Sequence, residues 1–145
     1  MSTVNRGVNI GPPRFKLAVH ALIWIASNGG LLSSATIARQ VESHATFMRR
    51  VMQSLAAAGI VTSKSGREGG YLLSKQVECI TLGEVYKAVS LRSVGGLLEG
   101  NDGEAVAQLD QELNGILREA EKRAIDYLQQ YTISDVMNRI DFFKL

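Results

Sequence analysis

Cysteine occurs once, proline twice, histidine twice and tryptophan once in 145 residues. A single thiol excludes a disulfide scaffold and a cysteine-rich zinc site within one chain. Two prolines and 6% aromatics leave no low-complexity or proline-rich tract. The longest apolar run, Leu17 to Ala26, is broken by His20, far short of the ~20 residues that span a bilayer. No charged-then-apolar start with a cleavage site opens the chain, so a cytoplasmic location is expected. Charge of either sign is modest: 16 basic and 14 acidic side chains give a net +2. Against these shortages stands 46% hydrophobic content. That is enough for one ordinary domain, or one domain with a dimerisation element, and too much for a disordered chain.

The small net charge conceals a split. Residues 1–75 carry nine basic and two acidic side chains, and residues 76–145 carry seven and twelve. The halves therefore stand at +7 and −5. A basic half points toward a polyanion. Chance segregation in a short chain gives the same split, so the local motifs decide.

Residues 1–13 read as a flexible lead-in ending at Pro12 and Pro13. A first helix, about Arg14 to Ser27, is apolar nearly all round and should be buried on several sides, His20 included. Asn28-Gly29-Gly30 stops it. Ser33 or Ser34 can cap a short helix to Val41. A break at Glu42-Ser43-His44 precedes a third helix, about Ala45 to Ala58, with Met48, Val51, Met52 and Leu55 on one stripe. Two short helices joined by a tight turn form a helix-turn-helix. Ile60–Lys64 and Tyr71–Ser74 flank a glycine-rich turn and read as a β-hairpin. Thr81 and Glu84 form a capping box for a helix to Val89. The sequence thus divides into a lead-in (1–13), a winged helix-turn-helix (14–90), a glycine-rich linker (91–103) and a C-terminal unit (104–145).

In that last unit a long helix, about Glu104 to Tyr131, repeats Val106, Leu109, Leu113, Ile116, Ala120, Ala124 and Leu128 at steps of three and four. It would reach about 40 Å, more than a small domain needs to cover itself. Thr132 and Asp135 recap a short final helix, Ile133 to Ile140. The fold class is mainly α: a winged helix-turn-helix with a small hairpin wing and a long C-terminal dimerisation helix.

Such a layout suits DNA. The third helix turns Thr46, Arg49, Arg50 and Gln53 outward, and arginine can bond guanine N7 and O6 in the major groove. His44 and Thr46 sit near helix-terminal amides that favour phosphate. Lys64, Ser65 and Arg67 lie on the hairpin turn, where a wing reaches backbone or minor groove. A solvated helix face is the simpler reading of either arginine alone. Two arginines beside a basic wing favour nucleic acid. Enzyme readings find little support. Neither His20 nor His44 has metal-ligand spacing, and no phosphate-cradling glycine loop opens a helix.

Four ordered blocks carry a family resemblance. They are Arg14-Phe15-Lys16-Leu17-Ala18-Val19-His20-Ala21-Leu22, Ala58-Gly59-Ile60-Val61-Thr62-Ser63, Gly66-Arg67-Glu68-Gly69-Gly70-Tyr71-Leu72-Leu73 and Ile80-Thr81-Leu82-Gly83-Glu84-Val85-Tyr86-Lys87-Ala88-Val89. Together they resemble the Rrf-two family of bacterial winged-helix transcription regulators. Ile133-Ser134-Asp135-Val136-Met137-Asn138 resembles its cluster-free YwnA-like branch. The resemblance implies a homodimer held by the long helix, a pseudo-palindromic DNA operator and usually repression. It places DNA contacts at His44, Thr46, Arg49, Arg50, Lys64, Ser65 and Arg67, although many members have a basic residue where Ser65 stands.

Cluster-binding members have three cysteines in the loop before the long helix. Residues 90–103 have none, so no iron–sulfur cluster and no other cofactor is expected. Cys79 is the one redox candidate, as a lone switch or paired across a dimer. A small structural residue is the simpler reading, because no basic neighbour obviously activates it. Two other readings stand beside the regulator: a winged-helix protein-interaction module without specific DNA binding, and a regulator with an unidentified effector pocket between helix 1 and the dimer helix.

Overall fold

Helix α1 (Pro13–Asn28) carries too many apolar side chains for one face, and the fold surrounds it accordingly. The computed structural model describes residues 13–41, 43–67, 69–90 and 103–140. Most of the predicted lead-in, the linker before Gly103, Glu42, Glu68 and the last five residues lie outside that set. Ala18, Ala21, Leu22, Ile23 and Ile25 of α1 are buried, and α1 meets the helices Ser34–Gln40, Ala45–Ala57, Leu82–Val89 and Ile133–Met137 and the strand Gly70–Leu73. His20 departs from expectation: it is exposed. It shares with Lys16 and Ser27 the one polar stripe that α1 has, all three being exposed. An i, i+4 pair on a strongly apolar helix is easily read as part of the core.

Ser33 caps α2 (Ser34–Gln40), its Oγ accepting the Thr36 N–H at 3.1 Å. The Ser43 N–H donates to the Ala38 carbonyl at 2.8 Å and holds the turn before α3 (Ala45–Ala57). Met48, Val51, Met52 and Leu55 of α3 are all fully buried. This confirms the stripe read from their spacing. Strands β1 (Val61–Lys64) and β2 (Gly70–Leu73) pair antiparallel, from Val61↔Leu73 to Lys64↔Gly70. Tyr71 also bridges to Leu32, with N–H···O distances of 2.8 and 3.1 Å. The wing is thereby tied to the segment ahead of α2.

Gly70 makes that tie possible. A Cβ there would stand 2.5 Å from the Leu32 carbonyl oxygen, which is backbone and cannot yield cheaply. Gly70→Ala should destabilise the chain by about 1–3 kcal/mol through overpacking. Thermal melting of the variant measures it, and an unchanged midpoint would contradict this packing.

A short 3₁₀ turn, Val77–Cys79, which the sequence did not announce, leads into α4 (Leu82–Val89). Both halves of the Thr81–Glu84 capping box form. Helix α5 (Glu104–Leu128) buries none of its residues fully and packs its later turns on α4. Burial pushes the Tyr86 hydroxyl pKa above its ordinary value, and the Glu121 carboxylate 3.5 Å away adds to the shift. The long helix ends at Leu128 instead of Tyr131, because the next residues are drawn into pairing with the start of α4. The Leu82 N–H donates to the Tyr131 carbonyl and the Ile133 N–H to the Ile80 carbonyl, each at 2.8 Å. Helix α6 (Ile133–Met137), the last described helix, has the expected Thr132–Asp135 capping box. It stops before the predicted Ile140, and Ile133 is fully buried in the core.

Candidate nucleic-acid interface

With Met48, Val51, Met52 and Leu55 turned inward, α3 must turn its other face out. Thr46, Arg49, Arg50 and Gln53 are all exposed there. His44 occupies the N-cap position of α3, makes no side-chain cap hydrogen bond and is exposed. No acidic residue stands in the first turn. The first amides of α3 thus lack a side-chain acceptor at its N-cap, an arrangement suited to phosphate.

Lys64, Ser65 and Arg67 are exposed at the hairpin. Gly66 turns the chain there with φ +104°, a conformation that side-chain-bearing residues resist. The two ion pairs among the described residues are Lys75–Glu84 and Arg123–Glu119. Neither involves Arg49, Arg50, Lys64 or Arg67. Four cations on α3 and the wing thus have no carboxylate partner among the described residues.

One neighbour escaped the sequence reading. The Arg14 guanidinium lies over the Phe47 ring, 6.0 Å from its centroid. This cation–π stack adds a basic group beside the first turn of α3. The sequence signal was Phe47, an aromatic set off the core stripe of α3. Its partner is remote in sequence, so no local pattern links the two.

Long helix α5 presents the other candidate surface. Val106, Leu109, Leu113 and Ile116 are 38%, 66%, 47% and 65% exposed, and Ala120 is exposed beside them. Leu117, at 55%, belongs to the same patch and was not anticipated. Ala124 and Leu128 are half-buried instead, in the turns that pack on α4. Cys79 is exposed rather than packed. Among the described residues, no group of three or more His, Cys, Asp or Glu could hold a metal ion, and no helix is long and apolar enough to cross a membrane.

A helix-turn-helix followed by a hairpin, with exposed cations on both, defines a winged-helix DNA-binding protein. The chain belongs to the Rrf2 family, whose model, described as "Iron-dependent Transcriptional regulator", matches residues 13–139. Protein aau3 of Rhizobium meliloti is 32% identical over 122 residues, covering 83% of this chain and 79% of that one. The HTH-type transcriptional regulator IscR of Erwinia tasmaniensis is 27% identical over 126 residues, covering 85% and 75%. Among solved structures, CymR, the global cysteine regulator of Bacillus subtilis, superposes with a TM-score of 0.61 at 25% identity, covering 93% of this chain and all 100% of that one. By family and fold this chain is a DNA-binding transcriptional regulator.

The family description raises iron. Cysteine thiolates are the usual ligands of an iron–sulfur cluster. Cys79 is the chain's one thiol, and residues 91–102, ahead of α5, contain none. The donor set does not fit a cysteine-ligated cluster.

Proposed function

We propose that this chain acts as a homodimeric repressor on a pseudo-palindromic operator, without an iron–sulfur cluster and without enzymatic activity, in the cytoplasm. The observation that carries the reading is the joint exposure of Arg49 and Arg50 on α3 and of Lys64 and Arg67 on the wing of one domain. Helix α3 enters the major groove. Arg49 and Arg50 bond guanine edges or adjacent phosphates, and Gln53 reaches a neighbouring base. His44 and Thr46 meet the backbone at the N-terminus of α3. Lys64 and Arg67 hold phosphate from the wing, with Ser65 between them, and Arg14 extends the same grip beside Phe47.

The exposed stripe of α5 supplies the dimer. Monomers seldom leave a contiguous patch of large apolar side chains in water, and Leu109, Leu113, Ile116 and Leu117 are all more than 40% exposed. A second copy is the occupant that matches a self-complementary stripe on a helix. Repression then follows from occupancy of promoter DNA.

Fluorescence anisotropy with a selected operator, at several salt concentrations, tests the wing. Each phosphate contact released should change the slope of log affinity against log salt by about 0.9. Arg67→Ala should therefore flatten that slope by about one and weaken specific and nonspecific binding alike. An unchanged slope would remove Arg67 from the phosphate contacts. Absence of any specific complex, with partner proteins retained by the same face, would favour a protein-interaction module. The basic, non-apolar outer face of α3 argues for DNA.

A further inference from the structure

Away from the basic face, a cleft of about 250 Å³ opens where α4, α5 and α6 meet. Leu82, Leu128 and Val136 supply its apolar lining, and Tyr127 and Tyr131 its aromatic lining. The two tyrosine rings are tilted by 59° with centroids 5.5 Å apart. Their hydroxyls are hydrogen-bonded at 3.1 Å. Arg139 also lines the cleft, and its guanidinium is stacked 5.3 Å from the Tyr131 centroid.

Asp135 borders the same cleft, but Arg139 lies beyond the end of α6 at Met137, and the two form no ion pair among the described residues. The Asp135 carboxylate instead accepts the Thr132 N–H at 2.9 Å to complete the α6 capping box. Arg139 is left as a positioned cation beside apolar and aromatic surface. A guanidinium held by stacking can still offer its N–H edge to a carboxylate.

We infer that this cleft binds a small aromatic monocarboxylate, its carboxylate on Arg139 and its ring against the tyrosines and the aliphatic lining. The cleft has room for a one- or two-ring molecule. The lining holds one cation, Arg139, beside apolar and aromatic groups, and its one carboxylate, Asp135, is engaged by the α6 capping box; a single cation matches a single carboxylate better than a multiply charged phosphate. The cleft also touches a mechanical joint. Leu82, which lines it, bonds through its N–H to the Tyr131 carbonyl at 2.8 Å, and the neighbouring Thr81 hydroxyl bonds to Gln129 Oε1 at 2.6 Å. These bonds fasten the end of the long helix to the first turn of α4, so occupancy bears on how the winged helix is held. That regulatory consequence rests on the proposed DNA function. Ligand binding itself does not.

Isothermal titration calorimetry of the full chain without DNA, using 2-naphthoate as probe and neutral 2-naphthamide as control, tests the site. Saturable binding of 2-naphthoate is expected, with the amide at least about tenfold weaker. Arg139→Gln should weaken 2-naphthoate about tenfold, as expected for one lost charge-assisted hydrogen bond, while leaving the melting temperature of the free chain within a degree or two. Equal affinity for acid and amide, or no effect of Arg139→Gln, would overturn the assignment. So would 2-naphthoate binding only to a monomeric α5 variant, which would put a second copy of the chain in the cleft. Operator binding measured separately with the same protein keeps failure of the ligand site distinct from failure of the DNA reading.

Discussion

Replacing Arg49 and Arg50 together with alanine is expected to lower operator affinity by at least about thirtyfold, since each bidentate arginine–base pair contributes roughly 1–3 kcal/mol of discrimination. Both side chains are exposed on the face of α3 opposite its fully buried stripe. Neither joins an ion pair among the described residues. Alanine is a strong helix former, so the fold should lose less than about 0.5 kcal/mol, the usual range for exposed substitutions. Circular dichroism and melting check the fold, and anisotropy checks the binding. A loss of threefold or less with the fold intact would move recognition off α3. The single variants should separate the roles: a base-reading arginine relaxes preference at one position, and a phosphate-gripping arginine weakens all sequences evenly.

The second large effect concerns assembly. Leu113→Glu combined with Ile116→Glu should convert a micromolar solution of the protein from dimer to monomer. Leu113 and Ile116 are 47% and 65% exposed in the single chain, so charge there costs the isolated fold almost nothing. In a dimer seam the same carboxylates would lose hydration without a partner, at several kcal/mol each. The dimer dissociation constant should therefore rise by about a thousandfold or more. Operator affinity should fall with it, because one half-site then binds without the other. Sedimentation equilibrium reads the mass and anisotropy the binding. A doubly substituted protein that stays dimeric would place the interface elsewhere, and a monomeric wild type would remove the stripe's proposed role.

Much of this was readable because it is local. The i, i+3, i+4, i+7 spacing of Met48, Val51, Met52 and Leu55 fixed the inward face of α3, and hence the outward one. The caps at Ser33, Thr81 and Thr132 each need one hydroxyl and a nearby amide. The wing follows from β-prone runs around a glycine-rich turn. What escaped depends on contacts between distant segments. The early end of α5 comes from the Leu82 and Ile133 amides bonding to Tyr131 and Ile80, which no helical periodicity encodes. The Val77–Cys79 turn is three residues long and lacks a side-chain cap. The Arg14–Phe47 stack crosses from α1 to α3. His20 was misplaced for the opposite reason: local apolar density outweighed the narrow polar stripe of Lys16, His20 and Ser27. Ala124 and Leu128 lie on the predicted α5 repeat, yet packing of its last turns on α4 half-buries them.

Two copies of this chain should read two related half-sites through α3. Hydroxyl-radical footprinting on a DNA fragment selected by the protein from a random-sequence pool tests this directly. Two matching protected patches are expected, with centres about 34–36 Å apart, or a multiple of that spacing, as a dimeric helix-turn-helix requires. Their sequences should be related by an approximate two-fold axis. A single protected patch, or protection without sequence preference, would contradict it.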